Sequence, residues 1–329
     1  MFAAPERIAT EVFAELPAAH REVRHSRWSD ARRGGKPIHS FLEGPAFDRD
    51  GRLYFTDIPF GRIFRAQPDG RVELVAEYDG EPNGLKIRAD GRIFITDYRN
   101  GLMTLDPGSG RVEPVLGRYY TEHLRGVNDL FFAANGDLYF TDQGRTGHQD
   151  PTGCVYRVTA AGRLERLLDC GINPNGLVTN LDETVLYVGM TNANAVWHLT
   201  LMPDGGVTAV GTVVQLTGGI GPDGLALTAD GGLVVAHPGM GAVWIFSRRG
   251  EPLYRVDSCG SDLITNIAFG GEDNRMLYIT DSGNGRILRA RVPVAGRVMH
   301  SHAAPGAVVT AAPTAGGTGA SVSAGRSAS

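Results

Sequence analysis

The feature that most constrains this chain is a unit repeated six times. Glu43, Asn83, Asn128, Asn175, Asp223 and Asn266 each stand just before a run that reads as two β-strands joined by a tight turn, at intervals of about 40 to 48 residues, the period of β-propeller blades. The flanks repeat as well: Leu42-Glu43-Gly44, Pro82-Asn83-Gly84, Val127-Asn128-Asp129, Pro174-Asn175-Gly176, Pro222-Asp223-Gly224 and Thr265-Asn266-Ile267. Each leads through an apolar strand and a turn into Leu-Tyr-Phe-Thr-Asp or a looser variant, such as Leu53 to Asp57, Ile93 to Asp97 and Leu138 to Asp142. Asp-Gly and Asn-Gly pairs in the turns supply the positive φ of short hairpins. The expectation is an all-β fold, a six-bladed β-propeller of four-stranded blades, with six oxygen-bearing side chains gathered around one axis and a central metal site.

Three regions follow from the repeat. Residues 1–39 form an N-terminal extension available to complete the last blade, with Glu11 to Leu16 as its strand; residues 40–297 are the propeller; residues 298–329, rich in Ala, Gly, Ser and Thr, read as a disordered tail. The cluster Arg21, Arg24, Arg27, Arg32 and Arg33 reads as a solvated surface. With 42% hydrophobic residues among 329, the chain can bury a large core. A net charge of −4 with scattered Lys and Arg gives no basic field for nucleic acid, and no stretch is apolar enough for a membrane helix, so small molecules are the expected partners. Cys154, Cys170 and Cys259 lack CxxC spacing, and no signal-peptide core opens the chain, which together point to a reducing, cytoplasmic setting.

The ring itself dictates its chemistry. Glu43 and Asp223 are ionisable, and two like charges facing one channel raise each other's pKa unless a cation neutralises them. A set of oxygen donors without Cys or His favours Ca²⁺, with Mn²⁺, Zn²⁺ or Mg²⁺ as other ions such a site accepts. The alternative is that these residues line a water-filled channel or cap turns. Thr-Asp pairs at second-strand ends are expected to close hairpins through backbone N–H groups. His237, where most blades have Asp, is a candidate for contacting substrate or moving a proton. Two blade-three insertions, Arg118 to Gly126 and Gln143 to Thr152, bring Arg125 and His148 as candidate substrate-binding residues. No nucleophile elbow, Walker loop or dinucleotide fingerprint is present.

On Leu42-Glu43-Gly44-Pro45, Gly126-Val127-Asn128-Asp129, Asn173-Pro174-Asn175-Gly176-Leu177 and Gly221-Pro222-Asp223-Gly224-Leu225, the chain resembles the senescence-marker-protein/gluconolactonase/luciferin-regenerating-enzyme family over about residues 40–292. The resemblance implies a six-bladed propeller lactonase with a divalent metal held by Glu43, Asn128, Asn175 and Asp223, and it gives Asp223 a base-like role. Tyr139 to Gly144 is similar to the drug-responsive bacterial lactonases. In the regucalcin branch an Arg stands two residues before the blade-three Asn, where this chain has Gly126. The expected activity is hydrolysis of a small lactone, sugar-derived ones among them, with water activated by the metal or by Asp223 and with Asn83 and Asn266 orienting substrate or water. A metal-dependent phosphotriester hydrolase and a non-catalytic ligand-binding propeller are the competing readings.

Overall fold

The computed structural model describes residues 2–303. Six antiparallel sheets follow one another along the chain, each beginning with its innermost strand. The inner strands are Leu42–Phe47, Pro82–Ile87, Val127–Phe132, Pro174–Thr179, Leu225–Leu227 and Ile264–Gly270. Each pairs with a second strand through a tight turn, as in Leu53–Asp57, Ile93–Asp97 and Leu138–Asp142, and the sheets continue outward to a fourth strand.

Apolar residues on both faces of each sheet meet those of the next, so the core is a series of wedges between blades. One wedge joins Tyr54 and Ile63 of blade one to Leu85, Ile95 and Met103 of blade two. Others join blades two and three around Leu130 and Phe140, three to five around Val188 and Val235, and five and six around Val234 and Ile267. The circle is closed by Phe55 and Phe64 of blade one against Tyr278 and Ile287 of blade six.

The N-terminal extension divides its strands between two blades. β1 (Glu6–Ala9) adds in parallel to the edge of blade five, beside Pro252–Asp257, a pairing the repeat does not signal. β2 (Glu11–Glu15) pairs antiparallel with Arg286–Arg291 and supplies the outer strand of blade six, with Ala14 and Leu16 buried in the closing wedge. The chain then forms a short helix, α1 (Arg27–Arg32), which starts at a Ser26 cap accepting the Ser29 N–H at 3.0 Å.

Of the tail expected at 298–329, residues 298–303 are placed against the body. Arg49 Nε donates to the Ser301 carbonyl at 2.8 Å, the Ala89 N–H to His300 Nδ1 at 2.9 Å, and neighbouring Arg297 Nη1 to Thr179 Oγ1 at 2.8 Å. The remainder of that tail lies outside the described residues. The segment covers an apolar cavity of about 610 Å³ at the end of the channel where the inner strands finish, lined by Ile87, Phe132, Leu227 and Phe269. Among the described residues no helix is long and apolar enough to cross a membrane.

Candidate functional site

The repeated polar residues sit where the inner strands begin, and local backbone geometry aims them. In blades one, two, three, four and six the pairing of inner and second strand shifts register within two residues of the repeated position, for example between Glu43 and Ala46 and between Val127 and Leu130. Such bulges release a residue from the alternation of a flat sheet and re-aim its side chain. Blade five achieves the same without an inner strand at that point: Asp223 precedes Leu225–Leu227, and its N–H donates to the Ala236 carbonyl at 2.9 Å.

The Thr-Asp endings divide their labour. Thr56, Thr96 and Thr141 donate their hydroxyls to the carbonyls of Asn83, Asn128 and Asn175 at 2.6, 2.5 and 2.8 Å, so each threonine holds the ring residue of the next blade. The aspartates turn to their own blade. Asp57 accepts the Phe41 N–H at 2.7 Å, Asp97 the Glu81 N–H at 3.0 Å, and Asp142 the N–H groups of Arg125 and Gly126 at 2.9 and 2.7 Å. This is the backbone-closing role expected of them, extended to the loops that enter the inner strands.

At the mouth of the channel a cavity of about 260 Å³ is lined by Glu43, Asn83, Asn128, Asn175 and Asp223. Glu43, Asn83, Asn128 and Asn175 are buried, and Asp223 keeps partial exposure. Burial pushes the Glu43 carboxyl up to about 7, against the Asn266 amide that lowers it and with Asp129 raising it further. Burial first, then the charges of Glu43 and Asp129, hold the Asp223 carboxyl well above the usual carboxylate range. The Asn83 and Asn175 side-chain oxygens are buried without a hydrogen-bond partner. A third such atom, Asn194 Oδ1, lies away from the cavity lining.

Orphaned amide oxygens beside carboxyls that resist ionisation are groups that a bound cation would satisfy. The donor set fits a hard divalent ion. No group of three or more His, Cys, Asp or Glu side chains suited to holding a metal occurs among the described residues, so an ion here depends on the asparagine oxygens.

The comparisons with known proteins identify the family. Residues 41–283 match the family described as SMP-30/Gluconolactonase/LRE-like region. The chain belongs to that family. It is 31% identical over 226 residues to lactonase drp35 of Staphylococcus aureus (strain MRSA252), covering 65% of this chain and 69% of the relative. The Staphylococcus epidermidis lactonase drp35 is 30% identical over 233 residues, 67% of this chain and 70% of its own. Among solved structures, a calcium-binding regucalcin from Agrobacterium tumefaciens superposes with a TM-score of 0.72 at 23% identity, over 90% of this chain and 98% of the neighbour's. A Xanthomonas campestris gluconolactonase gives 0.69 at 22% identity, over 89% and 99%. These likenesses place the family chain among six-bladed propellers.

Several candidates read from the sequence stand elsewhere. His237 is buried and both ring nitrogens are engaged: Nδ1 accepts the Trp244 indole N–H at 3.2 Å, which leaves the proton on Nε2 to donate to the Gly218 carbonyl at 3.0 Å. His237 therefore has no free ring nitrogen and is not among the residues lining the cavity. Arg125 is turned outward, its Nη1 on Thr152 Oγ1 at 2.6 Å and its Nη2 3.3 Å from Asp150, and His148 is exposed; neither lines the cavity. The 118–126 insertion makes a small hairpin whose Tyr119 packs on Tyr156 of blade three, away from the channel. Asn266 faces inward, donating to Glu43 Oε2 at 2.9 Å and Asp129 Oδ2 at 3.3 Å, so it orients carboxylates.

Other residues of the site escaped the sequence reading. Asp129 occupies the position that holds Gly in blades one, two, four and five, and a Cβ on Gly84 would lie 2.5 Å from its Oδ1. The broken repeat was its signal. Lys86, mostly buried, places its ammonium 3.6 Å from Asp129. The cavity is further lined by Trp28, Arg32 and Arg33 of the N-terminal extension, with Tyr98 and Gln143; Arg33 is exposed, as the solvated-surface reading of that cluster expects, while Arg32 is partly buried, which corrects the reading for that member.

Proposed function

We propose that this chain is a divalent-metal-dependent lactonase, with Glu43, Asn128, Asn175 and Asp223 holding Ca²⁺. The observation that carries the reading is the pairing of orphaned Asn83 and Asn175 oxygens with two carboxyls held above their ordinary range, in one cavity, in a member of a family whose curated relatives include lactonases. When bound, such an ion supplies a Lewis acid for an ester carbonyl oxygen. The protein's part is positional. The threonine bonds fix Asn128 and Asn175, and Asn266 holds Glu43. Asn83, whose oxygen is free, orients substrate or water, or joins the ligands. Asp223 accepts the proton of the attacking water.

Hydrolysis of a lactone and phosphotriester panel, with Ca²⁺ and with chelator, tests the class: lactone turnover abolished by chelator is expected. Phosphotriester turnover alone would replace the substrate class, and no turnover with retained Ca²⁺ binding would make the propeller a binding module. Asp223→Asn, assayed across pH at saturating Ca²⁺, is expected to keep part of the metal affinity while losing turnover by 10²-fold or more, an order-of-magnitude figure for a lost general base. Near-native turnover would remove Asp223 as the base.

A further inference from the structure

The roof of the cavity carries positive charge that the channel below does not use. Arg32 reaches in from α1, its guanidinium stacked 4.1 Å from the centre of the Tyr98 ring and its Nη2 at 3.4 Å from the Gly144 carbonyl. Tyr98 is itself fixed, its hydroxyl donating to the same carbonyl at 2.7 Å. Arg33 follows on the other side, exposed and 5.8 Å from the centre of the Phe41 ring, which in turn packs at a tilt against Trp28. Arg145 clamps the helix from the blade-three loop, donating to the Ala31 carbonyl at 2.6 Å.

Among the described residues neither Arg32 nor Arg33 makes an ion pair with a carboxylate, although the chain pairs many of its other arginines, including Arg52, Arg62, Arg99 and Arg157. The arginines nearest each other repel: Arg145 lowers the Arg32 pKa after burial does, and Glu81, the one acid acting on it, opposes both only in third place. A partly buried guanidinium with a like charge beside it and one weak carbonyl contact is undersatisfied.

Charge inside the channel balances without these arginines. Glu43, Asp129 and Asp223, once ionised, would be offset by the Lys86 ammonium and one bound divalent ion. With that ion bound, the roof would be net positive over a neutral floor.

We propose that Arg32 and Arg33 recognise an anionic substituent of the substrate, so that the preferred substrates are lactones bearing a carboxylate or another anionic group at a distance from the ester. This rests on the lactonase reading for the reaction, but the anion site stands on the roof alone. A planar guanidinium stacked on an aromatic ring offers a carboxylate two parallel N–H donors, which a neutral lactone leaves unmade.

The test compares a γ-butyrolactone carrying a ring carboxylate with its primary carboxamide, matched in shape and differing in charge. With the Ca²⁺-loaded full chain, kcat/KM for the acid is expected to exceed that for the amide by about tenfold or more, the worth of a charge-assisted pair, and the ratio is expected to shrink with added salt. Arg32→Gln should bring the ratio near one, with Arg33→Gln giving a smaller fall and Arg32→Lys an intermediate one. Calorimetric binding of the two ring-opened hydroxy acids supplies a readout that needs no turnover. If neither lactone is hydrolysed, the lactonase reading falls, while tighter binding of the diacid that disappears in Arg32→Gln still upholds the anion site. Equal rates or equal binding for charged and neutral partners in the wild type would overturn the proposal, and so would an Arg32→Gln variant that weakens both alike.

Discussion

Glu43 shows how one carboxyl links the fold to the bound ion. In the metal-free protein its pKa of about 7 lies above the ordinary value near 4.5, so the folded chain keeps a proton that the unfolded chain has lost. Between those two values the folded state binds more protons. Stability from this group is therefore full below about 4.5 and falls as pH rises toward about 7. A cation reverses the preference because it needs the carboxylate. We expect Ca²⁺ affinity to climb as pH rises through about 7, with proton release on binding, and Ca²⁺ to raise the melting temperature more at pH 8 than at pH 5. Calorimetry in buffers of different ionisation enthalpy, beside thermal scans with and without Ca²⁺, measures both. An affinity that stays flat between pH 5.5 and 8 would mean that Glu43 is not a ligand. Asp223 shifts in the same direction for the same reasons, so Glu43→Gln should weaken the pH dependence without erasing it.

At the scale of the element, the second strand of each blade is as important to the site as the inner strand that carries it. Thr96 ends its strand with a hydroxyl on the carbonyl of Asn128, across the blade boundary, and a longer bond to Gly84. Replacing it with Val keeps the shape and leaves that buried carbonyl without its donor, a cost of about 1–3 kcal/mol. Thr96→Val is expected to lose that much in urea unfolding and also to weaken Ca²⁺ binding, since Asn128 is held in place by the lost bond. Unchanged Ca²⁺ affinity in a destabilised protein would confine the threonine to stability. The positions of the ring residues were legible because they recur with the blade, and the Thr-Asp endings were legible as a motif. Their division of labour was not, since the threonine bonds run between blades about 30 residues apart. Asp129 hid in the register where other blades have Gly, and α1 hid because a six-residue helix is too short to show an amphipathic period. The placement of Arg32 on Tyr98 depends on where a long N-terminal connection lands, which no repeat encodes.

On the scale of the whole molecule, the propeller is a ring locked by the segments that flank it. β2 closes blade six, β1 extends blade five, α1 roofs one mouth of the channel, and residues 298–303 cover the other. Between the two mouths stands the Lys86–Asp129 pair. Lys86 belongs to the inner strand of blade two and Asp129 to that of blade three, so the contact ties neighbouring blades across the axis side. Asp129 also shares the Asn266 amide with Glu43, which makes the ammonium part of the electrostatic setting of the proposed metal site. Removing one member of a buried pair leaves the other uncompensated, at a cost of about 3–5 kcal/mol. Lys86→Met should therefore destabilise the metal-free protein by about that amount, while the channel, now one positive charge poorer, binds Ca²⁺ more tightly. The two effects are coupled through mass action: the variant's gain in melting temperature on adding Ca²⁺ should exceed that of the wild type at the same free concentration. Thermal scans over a Ca²⁺ series measure the difference. A variant whose Ca²⁺-induced gain is equal to or smaller than the wild type's would show that Lys86 does not share a field with the site, and that its role is confined to joining two blades.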